Sequence, residues 1–137
     1  MIEIHNLRKE FALSKQQRKE LNTSESIATA VDDVSFTCNP GRVFSLLGPN
    51  GAGKTTTLRM ISTIFKPTSG SIKIAGIDAV AHPREARKRI GFLTGSTGLY
   101  ARLTPNELIK YFADLYEIPK KEFEERKDYL YTLLDMH

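Results

Sequence analysis

The sequence predicts an α/β fold in which strands come first and helices follow. Three observations predict it. Arg42-Val43-Phe44-Ser45-Leu46-Leu47 is a short apolar run of the kind found in buried strands. The glycine-rich stretch Gly48-Pro49-Asn50-Gly51-Ala52-Gly53-Lys54-Thr55 follows at once, and Leu58, Ile61 and Phe65 then recur at helical spacing. After Gly98 the alternating and continuous apolar runs give way to helical periodicity.

Taken in order, residues 2–11 read as a first strand. Residues 12–29 are polar, with Lys15, Gln16, Gln17, Arg18, Lys19, Glu20 and Asn22 among them, and read as a mobile surface insertion or a long hairpin connection. Their basic cluster fits a solvated loop; the alternative is a contact with a membrane headgroup or a partner. Asn39-Pro40-Gly41-Arg42 places Pro and Gly at the two central positions of a type II turn. Residues 42–47 predict a buried strand, and residues 71–75 and 90–93 two more. Between these last two, residues 83–88 predict a short helix with Pro83 at its start. Thr104-Pro105-Asn106-Glu107 is a capping box with proline at the first helical position, followed by Leu108, Phe112, Leu115 and Tyr116 at helical spacing. A second helix is expected to start near Pro119, with Phe123, Leu130 and Leu134 on one face. The change of character divides the chain into residues 1–97 and 98–137.

Composition bounds the function classes. A chain of 137 residues can bury about two-thirds of its unfolded surface. The net charge is only +4, with no basic stripe interleaved with aromatics, which argues against nucleic acid as a partner. Cys38 is the single cysteine, so no intramolecular disulfide is possible, and a reducing, cytosolic setting fits. Asn22-Thr23-Ser24 matches a glycosylation sequon, but Met1-Ile2-Glu3-Ile4 lacks the features of a signal peptide. No apolar run approaches the ~20 residues of a membrane span. His5, His82 and His137 show no metal-ligand spacing.

The glycine-rich stretch carries the chemistry. It fits the pattern G-x-x-x-x-G-K followed by Ser or Thr, in the strand–loop–helix setting that makes the pattern a phosphate cradle. Glycines let the backbone curl so that its N–H groups face an anion. The helix opening near Gly53 adds its dipole and its free N–H groups. Lys54 supplies a mobile charge for the β- and γ-phosphates of a nucleoside triphosphate. Thr55 offers a hydroxyl to magnesium, which keeps water and phosphate oxygens as its other ligands. The alternative is a chance glycine-rich turn.

Gly48-Pro49-Asn50-Gly51-Ala52-Gly53-Lys54-Thr55-Thr56 resembles the Walker A loop of ABC-type ATPases. The likeness extends to residues 31–36 with Asn39-Pro40-Gly41, to Ile64-Phe65-Lys66-Pro67-Thr68-Ser69-Gly70-Ser71-Ile72, and to Arg89-Ile90-Gly91-Phe92-Leu93 followed by Gly98-Leu99-Tyr100 and Leu103-Thr104. It implies a P-loop NTPase core with an N-terminal β subdomain, part of a RecA-like core and the start of a helical subdomain. It implies ATP and Mg2+ as ligands and Gly48 to Thr56 as the phosphate site. The implied partners are a membrane-spanning permease and a second ATP-binding subunit, at the cytoplasmic face of the membrane. In that family an aromatic residue near the end of the first strand stacks on adenine, and Phe11 stands where it is expected; the alternative is a core aromatic on a strand.

Two departures from the family matter. A glutamine that touches magnesium is expected where Gly95 stands in Thr94-Gly95-Ser96-Thr97-Gly98. Ser96 or Thr94 could offer a hydroxyl there, or these residues simply shape a turn. The phrase Gly-Phe-Leu-Thr-Gly-Ser-Thr-Gly-Leu-Tyr resembles the subgroup that powers sodium efflux and related drug or polysaccharide-type export. The second departure is the lack of the acidic strand end, the glycine-rich signature and the later histidine. Leu133-Leu134-Asp135 reads as a helix end rather than as that acidic strand. The expectation is a truncated, incomplete domain: part of an ATP-hydrolysing transport subunit that alone binds nucleotide without hydrolysing it. A soluble ABC-type ATPase of translation or DNA repair is the alternative.

Overall fold

The computed structural model describes residues 1–93 and 102–136. The chain divides into two compact units, Met1–Phe92 and Leu93–His137. The sequence-based boundary at 97/98 falls outside the described residues.

The first unit is built on an antiparallel sheet. Its strands are β1 (Ile2–Ala12), β2 (Ile27–Cys38), β3 (Ser69–Ile74) and β4 (Ile77–Asp78), in the order β2-β1-β3-β4. Three helices belong to it: α1 (Lys15–Glu20), α2 (Lys54–Ile61) and α3 (Pro83–Arg87). The core holds Ile4, Leu7, Val31, Met60, Ile72, Ile74, Ala79 and Ala86. Met60 brings α2 into that core, and Ala86 brings α3.

The apolar phase of β1 and β2 explains their bulges. Ile2 and Ile4 alternate, but the next core residue is Leu7, one position out of phase. On β2, Phe36 and Val34 alternate, but the next is Val31. A strand keeps one face apolar only with a period of two, so each phase slip needs an extra residue. Register shifts fall at both places, between Ile4 and Leu7 and between Leu7 and Lys9. Asn6 and Asp33 take the left-handed turns that absorb them, at φ 45 and 48. Both are residue types that tolerate this region. Their side chains meet, Asn6 Nδ2 donating to Asp33 Oδ1 at 2.7 Å, and the Asn6 N–H donates to Ser35 Oγ at 2.7 Å. On the other side of β1, Gly70 of β3 faces the same bulge: a Cβ there would lie under 3.0 Å from the carbonyl oxygens of Asn6 and His5.

Two predicted strands do not form. Residues 42–49 are irregular, with Val43 98% and Leu47 90% exposed, and residues 90–93 are irregular as well. A strand buried on both faces needs hydrogen-bonded neighbours along its edges, and among the described residues no strand pairs with either run. Phe44 stacks on Phe36 instead, 4.8 Å between centroids. The polar stretch after Phe11 takes up the long hairpin connection between β1 and β2. Ser14 and Gln17 close a capping box at the start of α1, and Leu13 N–H donates to Ser26 O at 2.8 Å, so the connection is an ordered hairpin end carrying a short helix.

In the second unit, α4 (Pro105–Leu115) and α5 (Lys120–Leu133) form where the sequence places them, and Leu133-Leu134-Asp135 is a helix end. Tyr131 Oη donates to Asn106 Oδ1 at 2.9 Å and ties α5 to α4. Ala113 is the buried residue of α4, while Phe112, Leu115 and Tyr116 of the expected stripe stay exposed. Glu107 accepts from the Thr104 N–H and hydroxyl, both at 2.8 Å. These bonds, the backbone one foremost, hold its carboxyl below the ordinary glutamate range. A depressed folded value means the contribution is present above the unfolded pKa and disappears as pH falls through the folded one. Acidification should therefore fray α4, and Glu107→Gln, which keeps a neutral cap, should flatten that part of a circular-dichroism pH titration. Superimposable titrations of the two proteins would refute it.

Candidate phosphate-binding site

The loop between β2 and α2 positions the candidate site. Gly41 at φ 69 suits the turn out of β2, as the Pro-Gly pair requires. The loop ends at Gly53, the N-cap of α2, in the left-handed region at φ 79 and with no side-chain cap. The first bond of the helix runs from Thr57 N–H to Gly53 O at 2.8 Å. The N–H groups of Lys54, Thr55 and Thr56 thus precede the helical ladder and point out of the helix end, where an anion is favoured.

A strand irregularity fixes the loop's floor. A further register shift between Lys9 and Glu10 leaves Ala30 as an extra residue on β2. A Cβ at position 53 would lie under 3.0 Å from the Ala30 carbonyl oxygen and 3.1 Å from Val31 Cγ2. Glycine at 53 therefore serves two needs, a positive φ and the close approach of β2. A cleft of about 220 Å³ results, lined by Ala30 and by Asn50, Gly51, Ala52, Gly53, Lys54, Thr55 and Thr56.

Within it, Lys54 folds over the loop, its Nζ donating to the carbonyls of Gly48 and Pro49 at 2.6 Å each. Gly48 and Pro49 thus seat the lysine rather than line the cleft. The ammonium is held at the cleft in which seven of the predicted residues converge. Thr55 is exposed and lines the cleft beside it, next to the half-buried Thr56, so threonine hydroxyls are available to a cation. A threonine hydroxyl fits magnesium, which retains water and phosphate oxygens as its other ligands. Thr57 turns inward, 4% exposed, and its hydroxyl donates to Gly53 O at 3.0 Å.

Phe11 stands apart from the cleft lining. It is half-buried on β1 opposite Ala28, with the Phe65 ring edge-on at 5.6 Å. Thr94, Gly95 and Ser96 lie outside the described residues, as does His137. Ala30 was not legible from the sequence, because an alanine carries no signal of its own; only the strand register exposes its role. A second, larger cleft of about 540 Å³ is mostly apolar, lined by Ile2, Phe36, Phe44 and Leu46 among others, and shares Lys54 and Thr55 with the first. Cys38 also lines it, and burial pushes its thiol up, away from the reactive thiolate.

The arrangement suits a polyphosphate: backbone N–H groups, a helix start, an ammonium and threonine hydroxyls converge on one cleft. Among the described residues, no carboxylate or histidine lines this cleft.

Comparison with known proteins bears on the family of the chain. The profile of the family described as ABC transporter matches residues 31–136. The ABC transporter ATP-binding protein NatA of Bacillus subtilis (strain 168) is 43% identical over 109 residues, 79% of this chain and 44% of NatA. The bacitracin transport ATP-binding protein BcrA of Bacillus licheniformis is 40% identical over 92 residues, 67% of this chain and 30% of BcrA. A solved ATP binding subunit of an ABC transporter superposes with a TM-score of 0.70 at 27% identity, covering 92% of this chain and 47% of that one. The chain thus spans less than half the length of each of these proteins.

Proposed function

The chain belongs to the ABC transporter family, and from that premise we propose that it binds ATP with magnesium through residues 48–56 as part of an ATP-binding subunit that drives export. The observation that carries the reading is the convergence of Lys54, Thr55 and the loop backbone on one cleft. In this reading Lys54 leaves the carbonyls of Gly48 and Pro49 for the β- and γ-phosphates. The N–H groups of Gly51 to Thr56 cradle the phosphate oxygens, and the Thr55 hydroxyl holds magnesium. The ion, when bound, neutralises charge on the phosphates. Phe11 stacks on the base. The cargo in this reading is sodium or a drug, the drug supported by the bacitracin transport for which BcrA is named, and a membrane-spanning permease and a second ATP-binding subunit are the partners expected of the whole protein at the cytoplasmic face of the membrane. Among the described residues no helix is long and apolar enough to cross a membrane, which suits a division of labour with such a permease.

Hydrolysis asks for more than phosphate binding. Phosphoryl transfer depends on placing the attacking water and stabilising the charge that develops. Among the described residues, no carboxylate or histidine lines the cleft to take a proton from the attacking water. The 137-residue chain should therefore bind Mg-ATP yet release phosphate no faster than its Lys54→Ala variant. A phosphate-release assay on the purified chain decides it: turnover that vanishes in Lys54→Ala would show that catalytic groups are present after all.

A further inference from the structure

We infer that Lys9 is a positioning residue for the nucleotide base, acting through Phe11; the inference rests on the reading of Phe11 as the base platform. Lys9 and Phe11 stand two positions apart on β1, so their side chains leave the same face of the sheet. Lys9 Nζ lies 4.9 Å from the centroid of the Phe11 ring, well within cation–π range. A lysine ammonium on a free stem would not stay over a ring. Here it is tethered, because Nζ also donates to the carbonyl of Lys66 at 2.8 Å. Lys66 follows Phe65, whose ring packs edge-on against Phe11 at an interplanar angle of 76°. One tether thus ties β1 to the segment after α2 and fixes the orientation of the Phe11 ring.

Position relative to the phosphate cleft supports a role in binding. Phe11 pairs with Ala28, and Lys9 pairs with Val31. Ala30, between these partners, lines the phosphate cleft. At ~3.3 Å per residue, Ala28 is about 7 Å along β2 from Ala30, a spacing that a sugar bridges between base and phosphate. A cation on one face of a phenyl ring draws π density toward itself. The opposite face becomes less negative and stacks better on the electron-rich face of a purine. Lys9 is neither a phosphate ligand nor a hydrogen-bond reader of the base in this arrangement; it sets the ring that the base meets.

Calorimetric titrations of the full chain with Mg-ATP and with magnesium tripolyphosphate test it. Lys9→Met should weaken ATP by about two- to fivefold, the size expected of an exposed cation–π contact, and leave tripolyphosphate unchanged. Lys9→Arg, which keeps the cation, should restore ATP affinity. In a Phe11→Ala background, Lys9→Met should have no effect on ATP. Equal loss of ATP and tripolyphosphate, unchanged or tighter ATP binding, or an undiminished Lys9→Met effect without the Phe11 ring would each overturn the inference. If Phe11→Ala itself leaves ATP affinity unchanged, the base-platform reading fails and the inference with it; if the unmodified chain binds neither ATP nor tripolyphosphate, the phosphate-loop reading fails as well.

Discussion

Lys54→Ala should abolish measurable Mg-ATP binding while the chain stays folded. Among the described residues its side chain is the one ammonium lining the cleft of Ala30 and residues 50–56, and it is held there by the Gly48 and Pro49 carbonyls at 2.6 Å. Its removal takes away the point charge that meets the β- and γ-phosphates and also unties the loop that presents the backbone N–H groups. A charge-assisted contact of this kind is roughly twice as strong as a neutral hydrogen bond. Titration calorimetry measures the affinity, and a circular-dichroism melt of each protein separates lost binding from lost fold. Equal affinities would refute the phosphate-loop assignment.

Gly70→Ala should give the largest loss of stability among the glycine positions of the sheet. Gly70 sits at φ 88 opposite the Asn6 bulge, and a Cβ would fall under 3.0 Å from two backbone carbonyl oxygens. The left-handed backbone alone costs about 1–2 kcal/mol for a residue with a Cβ. The clash adds to that, because relief requires β1 and β3 to separate where Ile4 and Ile72 are fully buried. Gly76 supplies the control: it has φ 79 but no atom within 4 Å of the point a Cβ would occupy, so Gly76→Ala carries only the backbone cost. Urea unfolding of both variants checks it; equal losses would show that the bulge does not need its glycine.

The candidate cleft was legible because its signal is local. Eight consecutive residues specify the turn, the charge and the hydroxyl, and seven of the nine predicted loop residues line one cleft. The helices were legible for the same reason, since Thr104 with Glu107 and the periodic apolar residues after them act within a few turns. Ser14 with Gln17 carried the same kind of signal for α1, hidden in a run that otherwise reads as loop. What failed was non-local. An apolar run such as Val43-Phe44-Ser45-Leu46-Leu47 states only that it prefers burial; whether it becomes a strand depends on neighbours that the run cannot encode. The role of Ala30 was invisible likewise, because it follows from register rather than from side-chain chemistry. The bulges lie between these cases. The spacing of Ile4 to Leu7 and of Val31 to Val34 does announce a slip in phase, although not which residue takes the left-handed turn.

Those same bulges act on the outer rim of the sheet. β2 is a terminal strand of twelve residues, and its far edge presents backbone donors and acceptors that no strand of this sheet covers. A straight edge of that length is a template on which another unfolding chain can add a strand and begin to aggregate. The extra residues at Ala30 and Asp33 break the edge into short stretches that do not share one plane. The kinks that keep the core in phase thereby make the rim a poor seed for self-association.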